Sequence, residues 1–261
     1  MAESAIRFED GGAYERSMGV WSRLAGEVFL DWLAPAPGLG WVDVGCGSGA
    51  FTALVAERCA PAEAEGIDPS AAQVAFARGR AAGPARFSTG DAMALPFADG
   101  RFDAAVMALV IFFVPEPARG VAEMARVVRP GGLVAAYAWD MLGGGFPYGP
   151  VQAALREMGI EPPLPPSVEA SRAEALRALW EGAGLVGVAG REIRVSQRFD
   201  DVDAYLETAR MSGSVSQPLS RLGPAEAARL REGVRARLSP LPGGGVGWEA
   251  RANAIRGRVP G

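Results

Sequence analysis

Residues 41–52 read WVDVGCGSGAFT: a short apolar run, a glycine-rich turn and the start of a helix. Gly45, Gly47 and Ala50 satisfy the G-x-G-x-x-G/A spacing, and Gly49 adds a further glycine beside them. Such a turn lets the backbone come close to a ligand at a helix N-terminus. Asp68 ends the next apolar stretch, 19 residues after Gly49. A carboxylate there can hydrogen-bond both hydroxyls of an adenosine ribose. The pair fits an adenosine ligand and leaves open which one, NAD or S-adenosylmethionine.

Three features separate the two. Asp43 stands two residues before Gly45. A carboxylate aimed into the turn repels a pyrophosphate and suits a ligand carrying an ammonium and a sulfonium. The first strand begins about forty residues into the chain, behind a helical segment. Gly90-Asp91-Ala92 follows the third strand, where a carboxylate can accept from an adenine amino group.

Composition removes whole classes of chemistry. The chain has no histidine, and its 26 basic residues are all arginine. An imidazole base, a Ser-His dyad, a Schiff-base lysine and a P-loop lysine are therefore excluded. Two cysteines, Cys46 and Cys59, make neither a disulfide framework nor a metal-ligand spacing, so no metal is expected and a reduced cytoplasmic setting is the simplest. A net charge of −4 argues against a nucleic-acid binder; the arginines of 229–237 read as the solvated face of a helix. No apolar run is long enough to span a membrane, and the acidic opening residues do not resemble a secretion signal.

The elements that must hold these residues alternate. Residues 14–33 read as a helix, with Trp21, Leu24, Ala25, Val28 and Trp32 as its apolar stripe. Strands are expected at 42–44, 64–67, 86–88, 102–110 and 133–138, and helices at 49–59, 70–80 and 117–128. A helix at 171–183 and a strand at 186–199 follow, then helices at 202–211 and 224–238. The alternating segment 247–261 reads as a final strand. This is an α/β fold, a doubly wound and mostly parallel seven-stranded Rossmann-like sheet with an added helical cap. Its expected organisation is an N-terminal helical cap at 1–40, a cofactor-binding domain at 41–200, a helical substrate lid at 201–246 and the returning strand at 247–261. Residues 141–150, 161–167 and 239–245 are rich in Gly and Pro and read as loops or hinges.

Four stretches, VDVGCGSG (42–49), GIDPS (66–70), GDAMALPFADGRFDAAV (90–106) and EMARVVRPGGLV (123–134), stand in one order and spacing. Together they resemble the class I S-adenosylmethionine-dependent methyltransferases, in particular the group that includes the ubiquinone and menaquinone C-methyltransferases. The resemblance implies that Gly45, Gly47 and Gly49, with Cys46 in the same turn, carry the methionine part of the cofactor. Asp43 would orient the turn or meet the ammonium group, and Asp68 would hold the ribose. Asp91 and Ala92 would hold the adenine, with Met93 and Pro69 packing beside it. Leu109 and Val110 would pass near the methyl group. An N-terminal helix over the cofactor nominates Tyr14 and Met18, and Arg23 beside them. In this pattern a cysteine at the position of Cys46 does no covalent chemistry.

Methyl transfer is an in-line displacement whose leaving group is already activated, so alignment and exclusion of water dominate. A histidine found after the fourth strand in some relatives is replaced here by Val110-Ile111-Phe112-Phe113. A base, where one is needed, would be a carboxylate, a tyrosine or water. Asp140 is the best placed, ahead of Tyr148 and Glu116, although a structural or solvated role outweighs a catalytic one for each. Phe112, Phe113, Trp139, Phe146 and Tyr148 suggest a small-molecule acceptor that is apolar or aromatic. Two other readings stay open: a cofactor-binding sensor without activity, and an NAD-dependent oxidoreductase.

Overall fold

A computed structural model describes residues 18–81 and 83–261. Its centre is β1 (Gly40–Val44), buried at every residue. A strand covered on both faces reads as a continuous apolar run, and Trp41, Val42 and Val44 supply it. The helix α2 (Ala50–Cys59) leads to β2 (Glu63–Asp68), and α3 (Ala71–Gly79) leads to β3 (Ala85–Thr89). Ser70 caps α3 by accepting from the Gln73 amide at 3.3 Å. The chain then crosses to the other side of β1 and lays down β4 (Phe102–Ala108), α4 (Pro117–Val127) and β5 (Val128–Trp139).

These five strands are parallel, in the order β3-β2-β1-β4-β5. The direction of winding reverses at β1, so right-handed crossovers set α2 and α3 on one face and α4 on the other. The reversal opens a crevice between the carboxyl ends of β1 and β4, which is where such sheets bind ligands.

After β5 the chain forms α5 (Gly149–Glu157), α6 (Ala173–Gly182) and β6 (Val186–Phe199). Then come α7 (Val202–Arg210), the short α8 (Ser216–Ser220), α9 (Pro224–Arg235), a two-residue β7 (Ser239–Pro240) and β8 (Val246–Arg258). The strand β8 runs antiparallel between β5 and β6, with Trp139 opposite Ala252 and Ile193 opposite the same residue. Seven strands make the continuous sheet, and β7 pairs beside β8. Small residues at Ala250, Ala252 and Ala254, all buried, share one face of β8 and leave room for the elements packed on it. The Trp180 indole of α6 donates to the Val134 carbonyl at 2.9 Å and fixes that helix against the sheet.

The helix α1 (Val20–Leu33) packs on α2 and across β6. Its buried stripe is Trp21, Ala25, Phe29, Leu30 and Leu33, so it is turned from the expected one and Leu24, Val28 and Trp32 are half-buried. The cause is aromatic packing. Phe29 stands 4.6 Å from the Tyr137 ring and 6.1 Å from Phe51. Gly26 permits the approach, since a Cβ there would come within 2.8 Å of Leu54. The helix α5 is not among the elements expected from the sequence, and its first two residues fall in the expected 141–150 loop, yet Val151, Ala154 and Leu155 are buried at helical spacing. It packs against α9.

Candidate functional site

A cavity of about 1360 Å³ opens at the carboxyl ends of β1, β2, β4 and β5. The turn after β1 forms one side. Gly45 has φ +79°, and a Cβ on it would lie 2.4 Å from Val110, so both backbone and space require glycine. The amides of Gly45 and Cys46 donate to the Ile67 carbonyl at 2.7 and 3.0 Å, tying the turn to β2. A Cβ on Gly47 would meet nothing within 4 Å, so its face is open toward the cavity.

Asp43 is 4 % exposed and lines this cavity. Its Oδ2 accepts from the Thr52 hydroxyl at 2.7 Å, which ties β1 to the first turns of α2. Its Oδ1 is buried and has no hydrogen-bond partner among the described residues. Burial pushes the carboxyl up to about 7; the Thr52 bonds oppose this and the nearby Asp68 charge adds to it. A buried acceptor without a donor is costly, and an ammonium or sulfonium brought into the cavity would relieve it.

Asp68 closes the opposite side of the turn. Its Oδ2 accepts from the Gly47 amide at 3.0 Å and its Oδ1 from the Ser70 amide at 2.8 Å. Burial raises its pKa against the pull of those two amides. A carboxylate has about four acceptor sites, so two backbone bonds leave capacity for hydroxyl donors. Pro69, beside it, lines the cavity as well. Asp91 is exposed at the rim, and its Oδ1 accepts from the Met93 amide at 2.8 Å, forming a tight turn. Ala92 lines the cavity next to it.

Leu109 and Val110 follow β4 and line the cavity floor. Leu109 has φ +63°, an uncommon conformation for a side chain of its size, held by its amide donating to the Tyr137 carbonyl at 2.8 Å. Cys46 is buried, and its thiol is pushed far up by burial first and by the Asp43 and Asp68 charges next. It packs against Val74, Ala77 and Phe87 and also lines the cavity beside Gly45 and Gly47.

Other residues singled out from the sequence stand elsewhere. Gly49 faces Phe87 behind the turn and Met93 packs on the core; neither lines the cavity. Met18 is buried in the main core, and Tyr14 lies outside the described residues. Arg23 lines the cavity and pairs with Glu57 at 2.9 Å and Glu27 at 3.1 Å. Asp140 does not line it. Its carboxylate accepts from the Gly143 amide at 2.9 Å and pairs with Arg251 at 3.4 Å, holding a loop. Residues 201–246 do not line the cavity either. The post-β5 part of the wall comes from 161–166, part of the expected 161–167 loop. Four prolines in six residues were the available signal, since proline stiffens a chain.

A family profile described as Methyltransferase domain matches residues 42–136. The O-methyltransferase cnsE of Penicillium expansum is 35% identical over 198 residues, covering 73% of this chain and 67% of the relative.

The chain belongs to the class I S-adenosylmethionine-dependent methyltransferases.

A ubiquinone/menaquinone biosynthesis C-methyltransferase of Roseobacter denitrificans is 37% identical over 121 residues, which are 44% of this chain and 48% of the relative. The chain thus spans about half the length of that relative. Among solved structures, a phosphoethanolamine N-methyltransferase 2 of Haemonchus contortus in complex with S-adenosyl-L-methionine superposes with TM-score 0.58 at 16% identity. The match covers 95% of this chain and 56% of that one, and what it shows is the shared fold. S-adenosylmethionine is the cofactor of the family, and the orphaned Asp43 oxygen, the open face at Gly47 and the remaining acceptor capacity of Asp68 fit it.

Proposed function

We propose that this protein transfers the methyl group of S-adenosylmethionine to a small-molecule acceptor with an apolar body. The observation that carries the reading is Asp43, a buried carboxylate with an unpartnered oxygen at the wall of the cavity beside an open glycine turn. It suits a cationic adenosyl ligand and opposes a pyrophosphate. When bound, the sulfonium supplies a methyl carbon already activated toward a nucleophile.

The chain's own residues bind, orient and exclude water. Gly45 and Gly47 bring the backbone against the ligand, and Asp43 balances its positive charge. Asp68 receives ribose hydroxyls while bracing the turn through Gly47 and Ser70. Asp91, Ala92 and Pro69 border the adenine. Leu109 and Val110, fixed by the strained turn after β4, set the floor on which donor and acceptor meet. Residues 113–115 and 161–166, beside Leu109 and Val110, form the acceptor end, with Phe113, Val114, Pro115 and Leu164 shielding it from water. Glu161 is the one carboxylate among the described residues of that end, and its side chain is 80% exposed. The arrangement therefore favours an acceptor whose nucleophile ionises readily by itself, such as a phenol or an enol, its proton leaving to water.

The test is calorimetry with S-adenosylmethionine, S-adenosylhomocysteine and NADH, followed by a methyl-release assay over phenols, enols, amines and carboxylic acids. Binding of both adenosyl ligands and turnover of at least one acceptor is expected. Binding of NADH and neither adenosyl ligand would refute the proposal. Tight binding with no turnover on any acceptor would favour a sensor.

A further inference from the structure

The acceptor end has one wall of unusual chemistry. Residues 161–166 read EPPLPP, and all of them line the cavity. Proline locks φ near −65°, and a residue that precedes proline is held extended. The segment is therefore a stiff rail. It is pinned where it ends: the Ser167 amide donates to the Phe112 carbonyl at 3.0 Å, and the Ser167 hydroxyl to the Val114 carbonyl at 2.8 Å. It is pinned where it begins by the Ile160 amide, which donates to the Leu155 carbonyl at 3.0 Å. Within 162–166 only Leu164 carries a backbone N–H, so the rail offers ring faces and methyl groups in place of donors. Leu164 is 40 % exposed and adds apolar surface to the rail.

Charge around the rail points the same way. The described cations lining the cavity are Arg23 and Arg80. Arg23 is held by Glu57 and Glu27, and Arg80 lies over the Phe76 ring at 5.4 Å. The carboxylates Asp43, Asp68, Asp91 and Glu161 line the same cavity. A phosphate entering here would find negative charge and no uncommitted guanidinium, and an unpaired anion is expensive to bury. Prolyl faces and aromatic rings are complementary surfaces, as in the docking of proline-rich segments on aromatic grooves.

We infer that the 161–166 rail is the specificity wall for the acceptor, that it takes a neutral aromatic ring against its prolyl faces and Leu164, and that it rejects rings bearing phosphate. The inference rests on the methyl-transfer reading and names the acceptor class for it. Leu164 is a specificity-determining residue here, in contact with the ring and not with the transferred methyl group.

The experiment titrates 1-naphthol and 1-naphthyl phosphate by calorimetry into the full chain saturated with S-adenosylhomocysteine, for wild type and Leu164→Arg. Leu164 is exposed, so arginine is accommodated without disturbing the core. Wild type should bind 1-naphthol at least tenfold tighter than the phosphate ester. Leu164→Arg should narrow that ratio tenfold or more and change S-adenosylhomocysteine affinity less than twofold. Equal or tighter binding of the phosphate ester by wild type overturns the inference. So does an unchanged ratio in Leu164→Arg, or failure of both probes to bind while S-adenosylhomocysteine does. No binding of S-adenosylhomocysteine overturns the methyl-transfer reading and the rail assignment with it.

Discussion

Asp43 should make both folding and cofactor affinity depend on pH between about 5 and 8. The chain has no histidine, the side chain that ordinarily titrates between pH 5 and 8. Asp43, by contrast, is raised from 3.8 to about 7, chiefly by burial. A carboxyl held higher in the folded than in the unfolded state favours folding fully below the unfolded value. That contribution is lost as pH rises through the folded value. The whole window from 3.8 to about 7 corresponds to about 4 kcal/mol, of which about 2.5 kcal/mol falls between pH 5 and pH 8. Asp43→Asn keeps the shape and a carbonyl acceptor for Thr52 but cannot ionise. Urea unfolding at pH 5 and pH 8 should therefore show wild type losing about 2.5 kcal/mol relative to Asp43→Asn. Affinity should run the opposite way, because a cationic ligand selects the ionised carboxylate. With a folded value of about 7, the ionised fraction rises about fivefold from pH 6 to pH 7, and S-adenosylmethionine affinity should rise with it in wild type only. The ligand's own amino group stays protonated over that interval. Calorimetry in two buffers of different ionisation enthalpy should also report a proton released on binding near pH 6. A wild-type-minus-variant stability difference that does not move with pH, together with no proton release, would falsify the placement of Asp43 as a buried counter-charge to the ligand.

Further expectations follow from other residues of the site. Native protein should resist iodoacetamide at Cys46 and Cys59, since both are buried and burial raises both thiols; intact mass should show no adduct until urea exposes them. Gly45→Ala should destabilise by about 2–4 kcal/mol in urea unfolding, combining the positive φ with a Cβ forced onto Val110. Gly243→Ala, with φ +84° and open space around it, should cost only the conformational part, about 1–2 kcal/mol. Asp140→Asn should leave kcat/KM in a methyl-release assay within about threefold and its pH profile unmoved, because the carboxylate serves the Gly143 loop; a loss of about a hundredfold would make it a catalytic base.

The parts of this molecule that were legible in the sequence are those in which one residue type can do one job. The parallel core of the sheet follows from short apolar strands separated by helical stretches, and the glycines of the turn announce a backbone that must come close to something. Asp43 could be singled out because a carboxylate inside such a turn conflicts with a phosphate ligand. Its hydrogen bond to Thr52 could not, because that depends on how the first turns of α2 fold back over β1. Leu109 illustrates a deeper limit. Its left-handed backbone is held by the bond from its amide to the Tyr137 carbonyl of the neighbouring β5, and leucine carries no local preference that would advertise it. The rail at 161–166 was visible as prolines and invisible as a wall, since the bonds from Ser167 to the turn after β4 bridge residues about fifty apart. The residues proposed to meet the cofactor thus follow the ends of successive strands, where topology fixes position from local signals. The proposed acceptor wall is a loop segment whose place is fixed only by tertiary contacts. The reach of the sequence toward one end of the cavity, and its silence about which segment walls the other, have the same physical origin.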